Sequence, residues 1–171
     1  MKTYLLLLVS ILLTSCSSID INVYEDNNPK LDLKEYFSGD LTAHGIIKDR
    51  SGQVIRYFNV EMNGTWSKEG VGILEEKFIF DDESIEYRTW TFTPIKEGNK
   101  IRYLAKANDT VASVPVNITG NAFFMDYDLL INYRGDELQV RIEDKMYLIN
   151  QQVMINESTM IKYGLNVGYI T

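Results

Sequence analysis

The sequence predicts an all-β fold: one antiparallel up-and-down barrel of about 8–10 strands with one or two short helical turns. Apolar and polar residues alternate in short runs, the period-2 pattern of half-buried strands. Turn residues separate those runs roughly every 8–12 residues, and no long crossover interrupts the series of hairpins. Helical periodicity is scarce. A barrel of this size encloses a space that side chains fill or that takes one small ligand.

Before the first strand the chain reads as an address. Met1 and Lys2 form a short positive region, and Tyr4 to Leu13 is a run apolar except for Tyr4 and Ser10. The run is too short to span a bilayer, which needs roughly 20 apolar residues, and has the length of a secretory signal. Leu13, Thr14, Ser15 and Cys16 follow. This resembles the bacterial lipobox, in which an apolar and two small residues precede an invariant Cys. The resemblance implies removal of residues 1–15 as a lipoprotein signal peptide, a diacylglyceryl group on the Cys16 thiol and acylation of the new amino group. Each buried acyl CH₂ contributes about 0.8 kcal/mol, so two or three chains anchor stably where one does not. Ser17, rather than Asp, follows the Cys. By analogy with enterobacterial lipoproteins this implies the outer membrane, with the domain facing the periplasm. Residues 16–30 then read as the lipidated N-terminus and a polar tether, with a breaker at Asn27, Asn28 and Pro29. Residues 31–171 are the barrel domain.

Asp32 and Glu35 have the spacing of a capping box and start one helical turn. Leu41, Ala43, Gly45 and Ile47 alternate with polar neighbours as the first strand, and Asp49–Gly52 is a hairpin turn. Val54, Phe58, Val60 and Met62 share a face of the second strand with Arg56. Leu74, Phe78 and Phe80 share one with Glu76, and Trp90 and Phe92 share one with Arg88. Turns are expected at Lys68–Gly70, Asp81–Ser84, Glu97–Asn99 and Arg134–Asp136. Between them lie strands through Ile101–Ala107, Phe123–Ile131 and Leu138–Ile142. Pro115 makes its stretch an edge or a bulge. Met146–Ile149 and Val153–Ile155 read as short late strands, Asn156 as the cap of a helical turn ending at Gly164, and Val167–Ile170 as the last strand.

The segment Leu31–Gly39 leading into Leu41–Gly45 resembles the entry of lipocalins, where a helical turn runs through an aromatic and a Gly into the first barrel strand. A longer match is carried by Gly45–Gly52, Gly64–Trp66, Arg88–Trp90, Gly120–Ala122, Asp144–Leu148, Asn156–Gly164 and Val167–Gly168. On these residues the chain resembles a family of bacterial lipoproteins, domain of unknown function 3833, regarded as lipocalin-like. The departures fall at Lys145, Glu157 and a short last strand ending at Thr171, and they bear on the closing edge of the barrel. The resemblance implies a fold and an address, and no activity.

Composition excludes several classes. Lys and Arg number 17 against 24 Asp and Glu, a formal charge of −7, which lacks the basic balance of a nucleic-acid binder. One His and one Cys exclude sites built from several imidazoles or thiolates, and no phosphate loop or metal spacing is present. No cofactor and no metal is expected. Four Asn-x-Ser/Thr sites, at Asn63, Asn108, Asn117 and Asn156, read as turn and strand-end residues in a bacterial chain. A membrane-spanning barrel is rejected, because the outward positions carry too many charges and a lipid anchor would be redundant.

The candidate site residues are Arg56, Phe58, Glu76, Phe78, Arg88 and Trp90, as the lining of a pocket. Arg56, Glu76 and Arg88 sit on apolar faces, so inside a barrel they require partners. They form either an internal Arg–Glu network or a polar handle for an amphiphile with an anionic head. The favoured function is a membrane-anchored, non-enzymatic binding module for a lipidic or other apolar small ligand. The alternatives are an envelope assembly accessory acting through its outer surface, and an enzyme using His44 or cross-strand carboxylates as acid and base. Cys16 is consumed by the anchor, and adjacent carboxylates such as Glu75–Glu76 and Glu143–Asp144 point to opposite faces.

Overall fold

The computed structural model describes residues 19–98, 100–133 and 135–171. The expected signal peptide and Cys16 lie outside the described residues, as do the predicted turn residues Asn99 and Arg134. Ten strands follow one another: β1 (Gly39–Asp49), β2 (Val54–Trp66), β3 (Gly72–Phe80), β4 (Ile85–Glu97), β5 (Lys100–Ala107), β6 (Val114–Thr119), β7 (Ala122–Tyr133), β8 (Asp136–Asn150), β9 (Val153–Lys162) and β10 (Leu165–Ile170). Each pairs with its sequence neighbours and β10 returns to β1, so the sheet closes as an up-and-down barrel. The predicted all-β, lipocalin-like architecture is the observed one.

Alternation decides which side chains enter. Leu74, Phe80, Trp90, Phe92, Ala105, Val116, Met125, Leu129, Val140, Ile142 and Leu148 are buried, each from a strand whose intervening residues face outward. Such a set is the dominant favourable term of the fold, at about 25 cal/mol per Å² of apolar surface removed from water.

One end, here the lower, is plugged from the N-terminal side. Asp32 caps the short helix α1 (Leu33–Tyr36), its carboxylate accepting from the Glu35 N–H at 2.8 Å. The buried Leu33 and Phe37 enter the barrel floor. The Trp66 indole N–H donates to the Phe37 carbonyl at 2.8 Å. Gly64 permits this seat, because a Cβ there would stand 2.0 Å from the Phe37 oxygen.

Two expectations are corrected. Asn156–Gly164 is no helical turn: it lies in β9 and the following hairpin, whose Tyr163 and Gly164 both have positive φ (53° and 74°). Met146–Ile149 is no separate strand but the end of the long β8. Ile21–Tyr24 forms a 3-10 turn on the barrel wall, with the Tyr24 ring against Phe124 and Tyr147 at 5.8 and 5.4 Å between centroids. Pro115 falls in the short β6, which pairs with β5 at only Val114, Pro115 and Val116.

The closing seam is short. β10 pairs with β1 at Ile47, Lys48 and Asp49, and Thr171 exchanges two backbone bonds with Ile46 at 2.9 and 3.1 Å. On the other side β10 pairs with β9 from Ser158 to Lys162. Below that level Gly39–Gly45 of β1 and Val153–Glu157 of β9 each have one strand partner among the described residues.

Candidate functional site

The lower half of the interior is filled. Phe37, Trp66 and Trp90 each stack on Phe92 with centroids 6.2–6.4 Å apart, and Tyr127 meets Trp90 edge-on at 5.1 Å. Trp90 therefore belongs to the packed stack and does not line open space. One cleft among the described residues is bounded by α1, the start of β1 and the β8–β9 turn, and another by Arg141 and Tyr163.

Above the stack lies a layer of ionisable groups. Glu76 and Arg88 stand directly opposite each other on β3 and β4. The Arg88 Nε donates to Asp109 at 2.8 Å, and the guanidinium lies 5.4 Å from the Phe78 ring centre. Across the barrel the buried Asp144 of β8 accepts from the Tyr127 hydroxyl at 3.2 Å, from the Asn156 amide at 3.0 Å and from the Ser158 hydroxyl. Three carboxyl groups, Glu76, Asp109 and Asp144, thus share one guanidinium. Two of their oxygens, Glu76 Oε2 and Asp109 Oδ1, are buried with no hydrogen-bond partner among the described residues.

The electrostatics follow from that imbalance. Burial pushes the Glu76 carboxyl up to about 7, against the pull of Arg88, and the charges of Asp144 and Asp109 push the same way. Burial also raises Asp144, while its hydroxyl and amide donors hold it back. The Tyr127 hydroxyl is pushed well above its ordinary value by burial and by the neighbouring Asp144.

Nearer the upper end the wall is aromatic. Phe58, Phe78 and Phe80 form a triangle with centroids 5.8–6.2 Å apart. The Phe58 ring lies over the β1 backbone at Gly45, where a Cβ would stand 2.2 Å from it. Arg56 sits on Phe80, 3.4 Å from the ring centre, and bonds to Asp82 and Glu86 at the rim. Phe58 and Phe78 are only half-buried although they point inward.

The alternation argument thus placed Arg56, Phe58, Glu76, Phe78, Arg88 and Trp90 on inner faces, and the structure brings them into two layers. It does not leave the guanidiniums free: Arg56 and Arg88 both have carboxylate partners, so the handle for an anionic head is already neutralised. His44 is on the outer face, its Nδ1 2.6 Å from the Asn59 side-chain oxygen, far from the inner layer in the strand alternation. Asp109, Tyr127, Asp144, Asn156 and Ser158 were missed. Asp144 was readable, as an acid in the apolar stripe Val140, Ile142, Met146, Leu148. Asp109 comes from the loop after β5 and gave no signal.

A family model described as "Protein of unknown function (DUF3833)" matches residues 10–171. No curated protein and no solved structure matches the chain.

Proposed function

The chain belongs to that family of proteins of unknown function, and on this premise we propose that it is a lipid-anchored binding module of the bacterial envelope for a small amphipathic ligand. The ligand enters at the upper end, lays its apolar part on Phe58 and Phe78 and turns its polar part down to Glu76. The observation that carries this reading is the Glu76 Oε2 atom, buried and unpartnered above an apolar stack. A buried acceptor without a donor costs about 1–3 kcal/mol, which a ligand hydroxyl, amide or amine recovers by donating to it. Because both inner arginines already pair with carboxylates, the ligand's polar end is a hydrogen-bond donor and not an anion.

The anchor in this reading is Cys16, acylated after loss of residues 1–15, holding the domain at the outer membrane facing the periplasm. Native mass spectrometry of the protein extracted from membranes in detergent tests both parts. The expected spectrum has acyl mass on a chain beginning at Cys16 and a non-covalent small-molecule adduct that collisions strip away. A chain that retains residues 1–15 contradicts the anchor, and protein that is always free of adduct contradicts the binding module.

A further inference from the structure

We infer that the polar end of the interior ligand is a protonated primary amine, so that the ligand class is an alkylammonium amphiphile and not a neutral alcohol or amide. The inference rests on the binding-module reading of the barrel and names the head group that its inner layer takes.

The layer is short of donors and of positive charge at the same place. The groups that face Glu76 come from every neighbouring element. β4 sets Arg88 directly opposite it, and the loop after β5 brings Asp109 to Arg88. β7 supplies Tyr127 and β8 supplies Asp144, while β2 presents only the apolar Met62 at the paired position. Three carboxyl groups therefore meet one guanidinium. Arg56, the other inner arginine, is held at the rim by Asp82 and Glu86. Lys77 and Lys106 turn outward, to Glu61 and to the Thr110 carbonyl.

Asp144 is the satisfied acid of the three, with Tyr127, Asn156 and Ser158 all donating to it. Glu76 Oε2 and Asp109 Oδ1 are not, and both are buried. The two orphan oxygens belong to the two carboxyl groups that flank Arg88. A ligand hydroxyl brings one hydrogen and no charge. An ammonium brings three donors and the missing positive charge, so it serves Glu76 and keeps donors for a second acceptor. Its bonds to carboxylate are roughly twice as strong as neutral ones. A carboxylate or phosphate head would meet the same acids with like charge.

The approach is from above. Glu76 and Arg88 face inward yet keep part of their surface accessible, as do Phe58 and Phe78. The Phe78 ring already has the Arg88 guanidinium 5.4 Å from its centre, and a second cation passing its face gains from the same attraction. The acid at the bottom of this path titrates near neutrality, since burial pushes Glu76 up to about 7. An ammonium binds its carboxylate form, so binding expels the Glu76 proton and strengthens as pH rises through that value.

Titration of the full lipoprotein in detergent with octylamine and with octanol tests this. Tryptophan fluorescence is the readout, because the Trp90 indole lies against Glu76 and draws on the same carboxyl. The amine stays protonated at pH 6 and at pH 8, as a lysine does. At pH 8 octylamine is expected to bind about tenfold or more tightly than octanol. That advantage shrinks by about tenfold at pH 6, where Glu76 is mostly protonated. Glu76→Gln brings the two probes to within about threefold of each other at both pH values. Equal affinity of the two probes for the wild type overturns the inference and leaves the binding module standing. An advantage that survives in Glu76→Gln, or that is the same at pH 6 and pH 8, overturns it too. Absence of a saturable response to either probe overturns both the inference and the module.

Discussion

The Glu76 carboxyl is held at about 7 by burial, against roughly 4.5 when exposed. Its native pKa is above the unfolded one, so the folded state binds the extra proton between those values. Stability then falls as pH rises from about 4.5 to 7 and levels off above. A shift of that size corresponds to about 3 kcal/mol, with Asp144 contributing in the same direction. Urea midpoints at pH 5 and pH 8 are expected to show wild type losing more stability than Glu76→Gln over that interval. Equal losses would remove Glu76 as the titrating group. Arg56, Glu76 and Arg88 were legible in the sequence because strand alternation sorts faces without any knowledge of neighbours. Their partners were not legible. Which acid meets Arg88 is decided by the loop that carries Asp109, and alternation is silent on loops.

Elements were legible in proportion to how local their causes are. The capping box at Asp32 and Glu35 is a contact three residues long, and α1 is where it predicts. The segment from Asn156 to Gly164 shows the opposite case. A polar cap residue followed by Gly reads as a helix start and stop, yet a hairpin turn with positive φ uses the same residues. Long-range pairing with β8, from Arg141 to Asn150, decides for strand. The floor plug offers a test at this scale. Gly64→Ala sets a Cβ 2.0 Å from the Phe37 carbonyl, which must break the seat of Phe37 under Trp66. The expected loss is about 1–3 kcal/mol in denaturant unfolding, with a change in Trp66 fluorescence. An unaltered midpoint and spectrum would mean that α1 does not depend on this approach.

For the whole molecule, a barrel was legible because ten hairpin-linked strands of alternating pattern have few other ways to hide their edges. How the interior is divided was not legible. Large aromatics at the lower end fill one half, and the proposed ligand is assigned to the other, where Phe58 and Phe78 are half-buried. The most direct measurement of that division is a fluorescence titration with a neutral apolar dye, N-phenyl-1-naphthylamine. The account predicts saturable binding of one dye per barrel in the wild type, and its loss on Phe78→Arg, a substitution at the upper end. Absence of saturable binding to the wild type, or binding that Phe78→Arg leaves unchanged, would contradict it.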